Sequence, residues 1–166
     1  MIFRSNFITE IHPDALCPKQ FSNLAGESNR EFDTMRPVKS YWRLKNKMEI
    51  FEVTYHTVEE KNLACAMGSG SLEVLATPQM IAWMEEASCK LAPLAEGQTS
   101  VGILIDVTHD APSPCGARIR TVSSLVKAEG KILDYQVCAW CGEKKIGKGT
   151  HKRAIVNADR FMAKLK

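Results

Sequence analysis

The hydrophobic and polar positions of the chain follow a regular pattern only from about residue 48 onward. The first 47 residues repeat neither every 2 residues, as strands do, nor every 3.6 residues, as helices do, and Pro13, Pro18 and Pro37 interrupt them. We therefore expect residues 1–47 to be an N-terminal extension that is poorly ordered or not native to the protein. Residues 48–166 are expected to form the folded domain.

A strand followed by one long helix opens the regular part. Ile50–Val58 is rich in β-branched and aromatic residues, which is typical of a strand. After a loop of small residues at 66–71, Thr77 and Pro78 mark a helix start, with Thr77 as N-cap and Pro78 as the first helical residue. The helix is predicted to end at about residue 91 or 92, before Pro93.

This helix is predicted to be a core helix. At 100° per residue its apolar side chains form one stripe, and the small residues Ala82 and Cys89 on the opposite side would allow that side to be covered as well. The stripe consists of Met80, Met84, Ala87 and Leu91, with Trp83 and Ser88 at its flanks.

Beyond Gly97 the pattern changes to the period of strands. One face of the first such strand would carry Val101, Ile103, Ile105, Val107 and His109. Three more strands are predicted at 117–128, 131–141 and 146–156, and a short helix at 159–166. Because the connections are short, neighbouring strands should run antiparallel. An α+β domain, with an antiparallel sheet curled around one long central helix, satisfies this order.

Composition narrows the class of protein. With 45% hydrophobic and 25% charged residues the chain is typical of globular proteins, and a net charge of +3 gives no reason to expect nucleic acid as a partner. The apolar runs are too short for a membrane span, and the first residues do not resemble a secretory signal. Six scattered cysteines in a chain of this length favour reduced thiols and a cytoplasmic location.

Several polar residues are candidates for chemistry, although each also has a purely structural interpretation. Thr77 is most simply a helix cap, and the helical phase does not choose between Glu85 and Glu86. A single His such as His109 on an apolar strand face is more often a hydrogen-bonded core residue. The Cys138–Cys141 pair suggests a redox or metal site, but no second cysteine pair exists to complete a zinc site, so we expect no metal and no cofactor.

Four collinear stretches give these residues a family context. They are residues 74–87 (VLATPQMIAWMEEA), 97–102 (GQTSVG), 107–114 (VTHDAPSP) and 146–153 (IGKGTHKR). Together they resemble the hotdog-fold acyl-CoA thioesterases, and within them the fluoroacetyl-CoA thioesterase-like group, over about residues 48–163. The resemblance implies the hotdog fold, an acyl-CoA substrate, a homodimer or a tetramer, and no cofactor.

The resemblance also implies a catalytic set formed by Thr77, Glu85 and His109. Thr77 at a helix N-terminus would lie where a developing oxyanion is favoured, and Glu85 lies about 12 Å further along the axis, so a second subunit or a neighbouring strand must complete the cleft. The candidate substrate-binding residues are Gly102, through its backbone N–H, and Arg153, which is also expected to have a structural or carboxylate-pairing role.

The reaction route and the substrate stay open at this point. Glu85 is a candidate nucleophile or general base, His109 a candidate base, and Thr77 a candidate nucleophile or orienting group. The small residues at 68–71 are not what selectivity for a very small acyl group would favour, so a broader acyl range is equally compatible. A non-catalytic acyl-CoA binding or sensing module on the same fold is the alternative function, and a hotdog hydratase or dehydratase is a less favoured one.

Overall fold

A computed structural model describes the backbone of residues 40–44 and 47–166 and the side chains from Ile50 onward. Most of the predicted N-terminal extension, residues 1–39 and 45–46, lies outside these described residues. The predicted domain start at residue 48 falls one residue after the beginning of a strand at Lys47, and this strand pairs with an earlier one at Ser40–Leu44.

The described part of the chain forms a six-stranded antiparallel sheet, one strand more than the sequence predicts. The strands follow the spatial order β1-β2-β4-β5-β6-β3. Their bounds are β1 Ser40–Leu44, β2 Lys47–Thr57, β3 Gln98–His109, β4 Arg118–Glu129, β5 Ile132–Cys141 and β6 Lys144–Asn157.

Three α-helices lie in the described part of the chain. A 3₁₀ turn at Glu60–Asn62 leads into the short α1 at Ala64–Met67, and α3 at Ala158–Ala163 follows β6. The long helix α2 spans Thr77–Leu91, as the apolar stripe predicts, and it packs against the sheet through β2, β4 and β5. No helix in the described part of the chain is both long and apolar enough to cross a membrane.

The core lies between α2 and the sheet. All six side chains of the predicted stripe and its flanks are buried, which confirms that part of the prediction. Tyr135, Val137 and Ile146 of the sheet pack against them. The opposite side of α2 is not covered within the described protomer, because Pro78 and Ala82 are exposed. Cys89, the other small residue predicted on this side, is half-buried, so this side of the helix does not form a second core within the described residues.

The strand order corrects one expectation. The short connections predicted a meander of four neighbouring strands, and this holds for β4, β5 and β6. β3, however, pairs with β6 at the edge of the sheet. The segment that joins β3 to β4 is long enough to cross to another position in the sheet, and Pro112 and Pro114 keep it out of the strand ladder.

A bulge in β3 corrects a second expectation. The register with β6 shifts between Gly102 and Leu104, so Ile103 is an extra residue that breaks the alternation. Ile105, Val107 and His109 do share the partly buried face, whereas Ile103 is 53% exposed. A single inserted residue reverses the facing of every side chain before it. Gly102, rather than Val101, therefore faces the helix.

Candidate active site

Thr77 and His109 meet at the start of α2. Thr77 is the first helical residue, and its Oγ1 lies 2.9 Å from Nδ1 of His109, the last residue of β3. The prediction that Thr77 caps the helix is wrong, because the N-cap is Ala76 and makes no side-chain cap bond. The Thr77 hydroxyl is thus directed to the imidazole instead of to the helix backbone.

The environment of His109 keeps its imidazole neutral at neutral pH. Burial lowers the pKa of His109 below its usual 6.5, and the Ala111 backbone and the Asp110 carboxylate only partly oppose this. Its Nε2 is buried and has no hydrogen-bond partner among the described residues. A neutral imidazole with one nitrogen on a hydroxyl and the other unsatisfied is suited to accept or hold a proton.

The Thr77–His109 pair lines an open pocket of about 250 Å³. Ala64 and Ser69 contribute small side chains to the wall, and Asp110 contributes a carboxylate held by the Thr108 hydroxyl. The remaining wall comes from Val74, Leu75, Ala111 and Pro112. The pocket therefore joins an apolar wall to the hydroxyl–imidazole pair, an arrangement typical of small-molecule sites.

Glu85 occupies a different place, two turns along α2. Its Oε1 lies 3.6 Å from Nε2 of His151, and a Cβ added at Gly102 would be 2.5 Å from the same oxygen. The absence of a side chain at Gly102 is thus what lets the carboxylate approach β3. The neighbouring Glu86 points elsewhere, because it pairs with Lys90 and His56.

Behind Glu85 lies a buried polar network that the sequence analysis does not predict. His151 is 1% exposed and Arg153 is 7% exposed. The Arg153 guanidinium donates to Oγ of Ser100 at 2.9 Å, to its carbonyl at 2.7 Å and to Nε2 of His151 at 3.2 Å. The sequence does contain a signal for this network. His151 and Arg153 are two residues apart on one strand, so their side chains face the same way.

The structure therefore brings the predicted residues together in two groups. Thr77 and His109 are in contact at the pocket, while Glu85 and Gly102 are in contact beside His151. Eight residues of helix place the carboxylate about 12 Å along the axis from Thr77. Arg153 lies behind the second group with its donors on Ser100 and His151, and its predicted role toward substrate stays a prediction.

No group of three or more His, Cys, Asp or Glu side chains within the described residues is placed to hold a metal ion. Cys138 and Cys141 point to opposite faces of β5, because Cys141 packs on the core with Ala139 whereas Cys138 lies on the other face of the strand and is buried there. The five described cysteines are all free thiols.

Comparison with known proteins shows which family shares this arrangement. The profile of the fluoroacetyl-CoA-specific thioesterase family (FlK) matches residues 58–159, which include Thr77, Glu85 and His109. The chain belongs to this family. The fluoroacetyl-CoA thioesterase of Streptantibioticus cattleyicolor is 40% identical over 96 residues, which are 57% of this chain and 69% of that protein.

Solved structures agree with the family assignment. A mutant FlK in complex with acetyl-CoA is 32% identical, with a TM-score of 0.66 over 69% of this chain and 92% of that chain. A hot-dog-like protein from Thermanaerovibrio acidaminovorans, 18% identical over 69% of this chain and 87% of its own, has a TM-score of 0.63 and supports the fold alone. This member of the FlK family is thus a hotdog-fold thioester hydrolase, as the resemblance implied.

Proposed function

We propose that this enzyme hydrolyses acyl-CoA thioesters at a site shared by two protomers, with the Thr77–His109 pair from one and Glu85 from the other. The observation that carries this proposal is the 2.9 Å contact between the Thr77 hydroxyl and a neutral imidazole at the pocket. Within one protomer Glu85 is about 12 Å away along the helix, which is too far to act on a carbonyl held at that pair.

The chemistry needs little from the protein besides attack and charge stabilisation. An oxygen nucleophile forms a bond to the thioester carbonyl carbon, the carbon–sulfur bond breaks, and coenzyme A leaves as a thiolate, which is a good leaving group. His109 is suited to take a proton from water or from Thr77, and Glu85 is suited to act as base or as nucleophile through a mixed anhydride. The two routes can be separated by experiment, because the Glu85 carboxylate becomes covalently acylated only when it acts as the nucleophile.

The edge of the sheet supports the homodimer. Within the described part of the chain, β3 has a paired neighbour on one side only, and it carries the exposed apolar side chains of Ile103 and Leu104. Proteins rarely leave such an edge bare. Pro78 and Ala82 on α2 are exposed and supply a further surface for a second copy. A two-fold pairing would use the same surfaces on both protomers.

The pocket wall supports acyl groups larger than fluoroacetyl. Ala64 and Ser69 line the pocket, and Gly68, Gly70 and Ser71 around them are equally small and exposed. Because bulky side chains are absent from this stretch, two-carbon acyl groups would leave part of the apolar wall in contact with water. We propose that longer or branched acyl groups are the better substrates. The five free thiols are consistent with a cytoplasmic location, which we also propose.

The direct test is release of thiol from a panel of acyl-CoAs, from acetyl and fluoroacetyl to branched and medium-chain groups. We expect turnover that falls at least about 100-fold in Thr77→Val, His109→Gln and Glu85→Gln. Glu86→Gln is the matched control, since its carboxylate pairs with Lys90 and His56 and should keep activity within about twofold of the unaltered chain. Coenzyme A binding without any thiol release would indicate the non-catalytic binding module instead.

Separate variants test the proposed acyl preference and the proposed dimer. Ser69→Phe should lower kcat/KM for longer acyl groups while sparing acetyl-CoA, and equal effects on both would contradict the proposed pocket. Ile103→Lys should convert dimer to monomer in sedimentation equilibrium and abolish turnover. Val126→Lys changes an exposed apolar residue on β4 and should do neither.

A further inference from the structure

His151 is a buried imidazole whose orientation is fixed from the β3 side. Its Nδ1 lies 2.8 Å from the carbonyl oxygen of Leu104, beside the bulge in β3. A carbonyl only accepts hydrogen bonds, so Nδ1 carries the proton and, in the neutral ring, Nε2 carries a lone pair. The fold thus selects one tautomer of His151.

Three groups lie near Nε2, whose single lone pair already accepts from one of them. Arg153 donates to Nε2 at 3.2 Å and is itself held by Ser100. Glu85 Oε1 lies 3.6 Å from the same nitrogen, and the Tyr135 ring lies 6.2 Å from the imidazole ring. A separation of 3.6 Å is too long for a hydrogen bond, but a small rotation of the partly exposed Glu85 side chain would bring the two atoms within hydrogen-bond distance.

Burial keeps His151 in the neutral form. It lowers the pKa of His151, and the positive charge of Arg153 acts in the same direction, while the Leu104 carbonyl and the Glu85 carboxylate oppose it. Tyr135 stays uncharged, because burial raises its pKa to about 12. At neutral pH the carboxylate therefore faces an acceptor nitrogen, and a direct hydrogen bond between them requires one added proton.

We propose that His151 is a positioning residue for Glu85. When Glu85 acts as general base, its protonated carboxyl group donates to Nε2 of His151 in place of the long 3.2 Å contact from Arg153, which keeps its two hydrogen bonds to Ser100. This inference rests on the proposed function and deepens it. In the balanced step, water attacks the thioester carbonyl and gives its proton to Glu85, the carbon–sulfur bond breaks, and that proton then passes to the coenzyme A thiolate. His151 holds the carboxyl group beside Gly102 while the proton is there.

Two substitutions separate this role from simple packing. In His151→Asn the amide nitrogen can replace Nδ1 on the Leu104 carbonyl, but no group reaches Glu85. In His151→Gln an amide can reach the position of Nε2 and accept from the carboxyl group. We expect kcat to fall about 10- to 100-fold in His151→Asn with KM little changed, and to recover at least about fivefold in His151→Gln.

The pH profile of kcat adds a second measurement, because a loss of packing alone would not shift this profile. With the acceptor removed, protonated Glu85 is less favoured, so the acidic limb of the profile should move to lower pH in His151→Asn. An unchanged limb, or equal loss in both variants, would overturn the proposal. Were Glu85 a nucleophile instead, its protonated form would lie off the route and the two variants would not differ in kcat.

Nitrogen-15 spectra of the histidine rings in the full-length protein test the pair without any turnover. We expect the Nδ1–H tautomer for His151, and a titration midpoint that moves to lower pH in Glu85→Gln, because the carboxylate charge favours the imidazolium. Glu86→Gln should leave His151 unmoved and shift His56. An Nε2–H tautomer, or no response to Glu85→Gln, would refute the positioning role even if the enzyme is active. A protein with these spectra but no thiol release would refute only the proposed function.

Discussion

Gly102 should be irreplaceable because of the carboxylate that lies against it. In Gly102→Ala the new methyl would lie 2.5 Å from Glu85 Oε1, whereas ordinary contact begins at 3.4 Å, so the carboxylate must move about 0.9 Å. A displacement of about 1 Å in a catalytic group costs about 100-fold in rate, equivalent to about 2.7 kcal/mol of transition-state stabilisation. We therefore expect kcat/KM for the best acyl-CoA to fall about 100-fold.

A double-mutant cycle shows whether this loss acts through Glu85. In the Glu85→Ala background the clashing oxygen is gone, so Gly102→Ala should cost little more, apart from the 3.2 Å contact of the new methyl with His151 Cε1. Thermal unfolding of each variant serves as the control, because overpacking costs about 1–3 kcal/mol and must leave the protein folded at the assay temperature. Activity near that of the unaltered chain in Gly102→Ala, or losses that simply add in the double variant, would refute the reasoning.

Three further predictions concern stability and the thiols. Burial lowers the pKa values of His56, His109 and His151, so the unfolded chain binds more protons than the folded protein as the pH falls through 6.5. The free energy of unfolding should therefore drop between about pH 7.5 and about pH 5. A urea titration that shows no drop would contradict this prediction. Met84→Ala, at a fully buried position, should cost about 2–5 kcal/mol, whereas Met162→Ala at an exposed one should cost under about 0.5 kcal/mol, and similar midpoints in urea would argue against the core described above. Cys65 and Cys115 are exposed and Cys138 is buried, so alkylation followed by mass spectrometry should label Cys138 last.

The long helix and its buried face could be predicted from the sequence because local periodicity determines them. The apolar stripe from Met80 to Leu91 has helical spacing, and its partner surfaces only had to be apolar. The position of β3 could not be predicted in this way. It depends on which edge of the sheet a strand joins after a crossover, and that choice is a property of the whole sheet.

The candidate site shows the same division between local and distant information. The residue types and spacing of Thr77, Glu85 and His109 carry the family resemblance, but their grouping depends on contacts across more than thirty residues. The alternating pattern of apolar residues does not reveal the bulge at Ile103, yet this bulge turns Gly102 toward Glu85. The alternation along the strand places His151 on the same face as Arg153. Its role, however, follows only from its distances to Leu104 and Glu85.

The shared site is tested most directly by a heterodimer made from one Thr77→Ala chain and one Glu85→Gln chain, purified through two different tags. If each site combines Thr77 of one protomer with Glu85 of the other, the heterodimer keeps one intact site and should show about half the turnover of the unaltered dimer, although both parent homodimers are inactive. Turnover no higher than that of the parent homodimers would contradict the account, because it would mean that both residues must come from the same chain.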